Sequence, residues 1–423
     1  MRAERVELSG WGRTAPSVAS LVDVMPSELR TGDVTPEGLD GGRGVIARGL
    51  GRSYGDPAQN GGGTVVRVGP GAIVLDDERG TGRVGAGVSL DELLRHIVPR
   101  GWFVPVTPGT RFVTVGGCLA SDIHGKNHHA DGSFGAHVAA MSMMLADGEI
   151  VEITPASDPD LWWATIGGMG LTGIVLDAVV RLIPIQTSRC LVDTQRVPHL
   201  DSLIDEMSAR DDDYRYSVAW IDLVATGAGL GRAVLTRGDH ATLDQLSALT
   251  PKAAAEPLAF SPGTIADVPP YVPNVLNRLA VRAFNELWYR KAPLDHRSVE
   301  TITGFFHPLD MVGRWNRLYG GAGFLQYQFV VPFDATDTLR EVVDRVASSG
   351  HASFLAVLKR FGPESGGMLS FPTPGWTLTL DLHAGMHGLG TLIADLDRLG
   401  LYAGVRHYLA KYATASPDLV LAG

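Results

Sequence analysis

The N-terminal part of the chain alternates short apolar runs with glycine-rich turns. The runs GVIARG (44–49), TVVRVG (64–69) and AIVL (72–75) carry the β-branched enrichment of strands. A helix follows: Ser89 and Glu92 make an S-x-x-E capping box, and Leu90, Leu93, Leu94, Ile97 and Val98 recur behind it at helical spacing. WFVPV (102–106) reads as a further strand. Asp158 before Pro159, with Leu161, Trp162 and Ala164 behind them, predicts a second helix. GIVLDAVVRLIPI (173–185) predicts one long strand.

From about residue 189 glycine thins out and longer elements appear. FLQYQFVVP (324–332) alternates as a strand does. Residues 338–350 predict an amphipathic helix ending on Gly350, and SFLAVLKRFG (353–362) and TLTLDLHAG (377–385) predict two more strands. The segment 273–293 has another character. Leu276, Leu279, Ala280, Ala283, Leu287 and Trp288 share one helical face, with Arg278, Arg282, Arg290 and Lys291 around it. Such a stripe ordinarily packs on a core. The alternative is a basic amphipathic element that meets a membrane or a lipid tail.

Length changes the picture next. A chain of 423 residues exceeds one core at about 150 residues per domain, so two or three domains are expected. Hydrophobic content of 45% with 19% charge fits a folded globular protein. A formal charge of −10 argues against a nucleic-acid partner, because phosphate binding needs a basic surface. Cys118 and Cys190 are too few for a disulfide framework. The opening MRAERVELSGWGRT has no apolar core of a secretory leader, and no run approaches the roughly 20 apolar residues of a membrane span.

The candidate chemistry gathers in SDIHGKNHHADGSFG (121–135). His124 and His128 are four apart, as metal ligands on a helix are, but Gly125 and Gly132 disfavour a regular helix and the ligand count falls short, so no metal is expected. Three glycine-rich turns surround the stretch: ARGLGRSYGD (47–56), PGTRFVTVGGCLASDIHG (108–125) and IGGMGLTGIV (166–175). Such turns let backbone N–H groups approach an anion, and a helix start adds a favourable dipole. The third lies beyond a helix and does not open a βαβ unit, so it is a poor Rossmann fingerprint. Three loops converging point to one long diphosphate cofactor.

Together with VPVTPGT, GSFG and LADGEI, these loops resemble the FAD domain of the vanillyl-alcohol-oxidase (PCMH) type. That resemblance implies an α+β, two-domain fold, an FAD domain over 1–188 completed by 405–423 and a substrate domain over 189–404 built on an antiparallel sheet. The segments GWGRTAPS, RGLGRSYGD, DIHGKNHH, NELWYRK, HPLDM, GRWNRLYGGAGFLQYQF and SFPTPGW resemble the decaprenylphosphoryl-β-D-ribose 2-oxidase family of actinobacteria, from about residue 8 to about residue 411. The resemblance implies FAD-dependent oxidation of a polyprenyl-phosphoryl ribose at its 2-hydroxyl. This is the first half of an epimerisation that supplies arabinose for cell-wall arabinan. It also implies a partner, an NADH-dependent keto-ribose reductase of the short-chain dehydrogenase type, and work at a membrane surface, on the periplasmic side in that family.

Carried over residue by residue, the resemblance assigns FAD contacts to the first loop, Gly49, Leu50, Gly51, Arg52, Ser53, Tyr54, Gly55 and Asp56. Gly109, Thr114, Val115, Gly116, Gly117, Ser121, His124, Val175 and Tyr408 complete them. Many relatives attach the flavin through a histidine in the first loop; here the loop reads GRSYG, so non-covalent FAD is expected. His124 and Lys126 match residues near the flavin ring, where a poised imidazole suits acid–base work. Lys411, in a Tyr-x-x-Lys context with Tyr408, matches the candidate base. Gln326 and Gln328 alternate onto one face, where amides suit sugar hydroxyls. Lys359 needs a partner, such as a phosphate, and Trp220 and Phe361 match pocket walls.

Three departures stand out. Phe306 replaces the family's tyrosine, Thr377 and Thr379 replace its asparagine and cysteine, and its C-terminal tail is longer than the one here. Inhibitors that bond to a thiol at position 379 are therefore expected to fail. Two other functions share these motifs: a soluble sugar-alcohol or aldonolactone oxidase of the same fold, and a relative that has lost catalysis through its shortened end.

Overall fold

The computed structural model describes residues 3–39, 42–271, 277–351, 353–412 and 414–422. Three sheets organise it. The first has four strands, in the order Glu4–Leu8, Ser17–Val24, Thr64–Val68 and Val45–Arg48. Its inner pairings are parallel, and its buried Val65 and Val66 follow from the apolar run read in the sequence. The two strands before residue 25 were not foreseen, although ERVEL alternates charged and apolar residues.

The second sheet has five antiparallel strands, in the order Ile73–Asp76, Thr81–Gly85, Ile174–Arg181, Val138–Met144 and Ile150–Ile153. Against it packs the helix Leu90–Ile97. Ser89 Oγ accepts from Glu92 N at 3.1 Å, Glu92 accepts from Ser89 N at 2.8 Å, and Leu90, Leu93, Leu94 and Ile97 are buried. This is the capping box read from the sequence. Asp158 likewise caps Pro159–Thr165 by accepting from Leu161 N. The long strand expected over 173–185 divides. Its first part ends at Arg181, Leu182 N turns to Gly80 O, and Ile183–Pro184 pair with Trp102–Phe103 in a separate two-stranded sheet. The strand expected over 102–106 is only those two residues, because Pro105 has no N–H to extend a ladder.

The third sheet has eight strands, all antiparallel, spanning residues 189–407. The order is Asp295–Thr301, Arg189–Val197, Ala233–His240, Tyr216–Ile221, Ala356–Phe361, Gly375–His383, Phe324–Val331 and Arg406–His407. One face is covered by the helices Leu200–Arg210, Thr336–Ser349 and Leu389–Tyr402. There Tyr327, Phe329, Leu358, Leu378 and Leu380 meet Leu203, Met207, Leu339, Val343 and Leu396. The other face looks toward the N-terminal unit and holds the polar residues described below.

The terminal segment touches both units. Val405, Tyr412 and Leu419 enter the core under the large sheet. Ala410 O accepts from Tyr54 N at 2.8 Å, and the Tyr408 hydroxyl donates to Ser121 O at 2.9 Å.

The segment 273–293 corrects an expectation. Residues 278–291 form a helix capped by Asn277, while Leu276 lies outside the described residues. Its inward face is not the apolar stripe. It buries Val281 and Asn285, the latter donating to Asp222 Oδ1 at 2.7 Å, while Leu279 is 80% exposed and Leu287 68% exposed. The polar anchor joins a buried network: Asp222 accepts from Arg232 and from Val224 N, and Asn285 adds a further donor to its Oδ1.

Candidate active site

Residues directly opposite in an antiparallel pair project to the same face. The register pairs Gln326 with Asp381, Gln328 with Thr379, Thr379 with Val357 and Val357 with Trp220. It also pairs Thr377 with both Val330 and Lys359. Three strands, far apart in sequence, therefore gather two amides, a carboxyl, an amine and two hydroxyls on one face. Phe361, two residues beyond Lys359, joins them, and the Trp220 indole N–H donates to Phe354 O at 3.1 Å.

His124 reaches this face from the opposite unit. Thr114 caps the helix Val115–Ala120 by accepting from Gly117 N at 3.1 Å. The chain then turns at Asp122, whose φ of 37° is a left-handed conformation that a non-glycine residue adopts only when held there. Its buried carboxylate accepts from Gly135 N at 2.8 Å, from Ser365 Oγ at 2.7 Å and from Ser370 Oγ. That clamp aims His124 at the sheet. Its ring packs against Phe361, Phe371 and Tyr408 at centroid distances of 4.8, 5.9 and 5.7 Å.

His124 Nε2 lies 2.9 Å from Gln328 Nε2, and its Nδ1 lies 3.3 Å from Lys359 Nζ. Burial, then Lys359, push the imidazole well below its ordinary range, so it is neutral. A neutral ring carries one proton and accepts at one nitrogen only. It therefore cannot accept from both the amide and an ammonium. Either Lys359 is uncharged and accepts from Nδ1–H, or the Gln328 amide presents its oxygen to Nε2–H. Proton position and the charge on Lys359 are linked.

The other amines are perturbed too. Burial lowers Lys359 to about 7, helped by Lys411 and Lys126, and lowers Lys411 to about 7 against the pull of Asp381. Asp381 is 1% exposed and is raised by burial to about 7, although Gln326 donates to it at 2.6 Å and Tyr319 at 3.2 Å. Lys411 Nζ sits 3.9 Å over the Tyr54 ring, whose phenol burial pushes well up. A second polar cluster holds the segment behind Lys411: Asp397 accepts from Tyr327 at 2.8 Å and from Tyr412 at 2.6 Å, and His407 lies 2.9 Å from the Tyr327 hydroxyl.

Of the three residues assigned to catalysis, His124 and Lys411 meet at this centre through Lys359. Lys126 turns aside, donating to Phe305 O with its Nζ 4.2 Å from the Phe305 ring. Burial lowers it to about 8. His128 and His129 are engaged elsewhere. His128 Nδ1 accepts from Gly362 N at 3.1 Å, and His129 Nε2 lies 3.0 Å from Tyr214 O. Among the described residues no group of three or more His, Cys, Asp or Glu is placed to hold a metal.

The cofactor residues fall in two places. A cavity of about 390 Å³ is lined by Gly49, Leu50 and Thr114 together with Val68, Gly69, Pro70 and Gly87, with Arg67 and the carboxyl groups of Asp23, Glu28 and Glu92 also on its wall. Here the absence of side chains is required. A Cβ on Gly49 would lie 2.3 Å from Thr114 Oγ1, and one on Gly87 would lie 2.1 Å from Gly69 O. Backbone so closely apposed, ending at a capped helix start, fits an extended dinucleotide. Tyr54, Ser121 and Tyr408 border the amine cluster instead: Tyr54 lies under Lys411, and Tyr408 packs on His124 and donates to Ser121 O. Arg52 stacks over Trp11 at 3.8 Å, with a buried Nε lacking a partner, and Gly55 packs on Gly10. Gly51 has a φ of 64°, Gly109 has open space beside it, and Gly116 packs on Ala86. Ser53 O accepts from Trp11 N, Asp56 is exposed, and Val175 pairs with Met143.

Sequence reasoning missed Asp381, Tyr319, Asp122 and the 68–70 and Gly87 walls. The signal for Asp381 was present: a carboxylate in TLTLDLHAG, in step with Thr377 and Thr379. Asp122 and Tyr319 lay inside quoted motifs, DIHGKNHH and GRWNRLYGGAGFLQYQF, without a role, and nothing local marked the 68–70 and Gly87 walls.

Residues 40–154 match the FAD binding domain family. With the α+β architecture and a buried amine-rich centre, they define an FAD-dependent oxidoreductase of the PCMH type that acts on a CH–OH group. The chain is 47% identical over 411 residues to decaprenylphosphoryl-β-D-ribose oxidase of Mycolicibacterium smegmatis, covering 96% of this chain and 88% of that one. It is 38% identical over 343 residues to an uncharacterized protein in the mprA 5′ region of Streptomyces coelicolor, covering 79% and 91%. Human Δ(24)-sterol reductase is 30% identical over 112 residues, 26% of this chain and 22% of that one. The chain belongs to the decaprenylphosphoryl-β-D-ribose oxidase family.

Proposed function

We propose that the protein oxidises the 2-hydroxyl of decaprenylphosphoryl-β-D-ribose to the 2-keto sugar, using non-covalent FAD. The observation that carries this is the convergence of Lys359, Lys411, His124, Gln326, Gln328 and Asp381 between the two units. FAD, when bound, supplies the acceptor for the hydride equivalent. Lys411, half-neutral near pH 7, takes the proton of the sugar hydroxyl as the C–H bond is broken. Asp381 shares that proton economy and orients Gln326. Gln326 and Gln328 hold the remaining hydroxyls, and the Lys359 cation meets the phosphate. Phosphate binding holds Lys359 charged, which directs the His124 proton to the Gln328 side. Trp220 and Phe361 bound the sugar and exclude water. The cofactor is non-covalent because residues 49–56 offer no histidine to bond it.

The keto product calls for an NADH-dependent reductase of the short-chain dehydrogenase type to complete the epimerisation toward arabinan. The polyprenyl tail calls for work at a membrane surface, on the periplasmic side by analogy with the family. The visible spectrum of the purified protein tests the reading, before and after anaerobic addition of a farnesyl-phosphoryl ribose. Bleaching of the flavin bands is expected, with acid precipitation releasing the yellow chromophore. Flavin unchanged by this substrate but reduced by a soluble polyol overturns the substrate; flavin retained in the acid pellet overturns non-covalent binding.

A further inference from the structure

The helix 278–291 is mounted inside out. An amphipathic helix on a globular protein normally turns its apolar stripe inward. Here the inward positions are Val281 and Asn285, fixed by the Asn285–Asp222–Arg232 hydrogen bonds, with Glu286 accepting from Arg232 at 2.6 Å. Leu279, Phe284, Leu287 and Trp288 are exposed, the last and Phe284 stacked with ring planes 15° apart at 6.1 Å. Leu294, just past the helix, continues the patch at 71% exposure. Among the described residues Leu279 and Leu287 stand largely uncovered and Phe284 and Trp288 are about half covered, and an apolar patch of this kind marks an interaction surface.

Its chemistry selects the partner. The helix carries four basic residues, Arg278, Arg282, Arg290 and Lys291, against one acidic, Glu286. The whole chain has a formal charge of −10, so this positive local balance runs against the rest of the molecule. Apolar and aromatic residues flanked by cations, on a helix too short to span a bilayer, fit the boundary of an anionic lipid surface. Among the described residues no helix is long and apolar enough to cross a membrane. The patch also connects to the active site. Phe284 meets Phe354 edge-on at 6.0 Å, and Phe354 lies 5.8 Å from Tyr319, the donor to Asp381.

We propose that the outward face of the helix 278–291 is the docking surface for an anionic bilayer, with Leu279, Phe284, Leu287 and Trp288 inserted at the headgroup boundary. It rests on the lipid-linked substrate proposed above and adds the route: a polyprenyl tail remains in the bilayer while its sugar passes along Phe284 and Phe354 to the centre.

The test is co-flotation of the FAD-loaded protein with vesicles of phosphatidylcholine containing phosphatidylglycerol, against vesicles of phosphatidylcholine alone. Anaerobic bleaching by farnesyl-phosphoryl ribose is measured on the same samples without vesicles. Binding to the anionic vesicles is expected. Leu279→Ser with Leu287→Ser should weaken it at least 10-fold, while bleaching is unchanged. Arg282→Gln with Lys291→Gln should weaken it less and flatten its salt dependence. Wild-type protein that bleaches but does not float with anionic vesicles overturns docking and leaves the substrate reading intact. Protein that floats but does not bleach does the reverse. A dimer that the leucine variants dissociate, with no flotation, assigns the face to a second copy and overturns the proposal.

Discussion

The two faces of the eight-stranded sheet are built from the same strands and differ in almost every physical respect. On one face Tyr327, Phe329, Leu358, Leu378 and Leu380 lie under three helices. On the other, one residue away along each strand, stand Gln326, Gln328, Lys359, Thr377, Thr379 and Asp381. Strand alternation alone makes this possible. The packed face contributes stability through burial. The polar face costs stability, because amines and a carboxyl are held where water is scarce, and that cost is the origin of their altered proton affinities. Stability and chemistry are thus separated by one residue step.

Breaking the polar face should affect turnover far more than folding. Lys411→Met removes the base and should lower kcat by about 10³-fold, within the range of lost general-base catalysis. Because it also removes a poorly solvated amine, the melting temperature should hold or rise; a falling melting temperature would place Lys411 among the structural residues. On the packed face the pattern reverses. Leu378→Ala should cost about 3 kcal/mol in denaturant unfolding and leave kcat per folded flavin unchanged.

A smaller effect should follow from Lys359→Met. Loss of a charge-assisted contact of about 1.5–3 kcal/mol predicts roughly 10–100-fold in kcat/KM for the phosphoryl substrate. His124 is lowered first by burial and then by Lys359, so removing this cation should move any limb of the pH profile belonging to the imidazole part of the way upward. A profile unchanged by this substitution would sever the link between the two residues.

The smallest effect sharpens the comparison through pH. Lys359 and Lys411 titrate at about 7 when folded, against an ordinary 10.5. Between those values the unfolded chain binds more protons, so these groups make stability rise with pH from about 7 to 10.5. Asp381 does the opposite: raised from 3.8 to about 7, it makes stability fall over that interval as pH rises. Their joint contribution is therefore lowest near pH 7. Urea midpoints across pH should show this dip, reduced on the alkaline side in the Lys411→Met and Lys359→Met variants. In turnover, kcat/KM should peak near pH 7, rising as Lys411 loses its proton and falling as Lys359 loses the charge that meets the phosphate.

Much of this was legible in the sequence where the cause is local. The Ser89–Glu92 box, the Asp158 cap and the alternation of 324–331 are set by hydrogen bonds and periodicity within a few residues. Glycines at 49, 116 and 117, His124, the two glutamines, Lys359 and Lys411 were named from motifs, and all but the helix glycines border the cavity or the amine cluster. The break at Leu182 was not legible, since a bend between two sheets leaves the apolar run intact. The helix 278–291 was misjudged because periodicity reports that a face is apolar, not which way it points.

By itself, the sequence determined the elements, their caps, the two-sided pattern of the strands and the glycine-lined turns that admit a dinucleotide, because each rests on neighbours in the chain. Tertiary structure alone decided which strands lie side by side. It joined Gln326 to Asp381, His124 to Gln328 and Lys359, and Lys411 to Tyr54 across long stretches of chain. It also set the proton affinities of those groups, because desolvation depends on everything that surrounds a side chain and leaves no mark in the residues beside it.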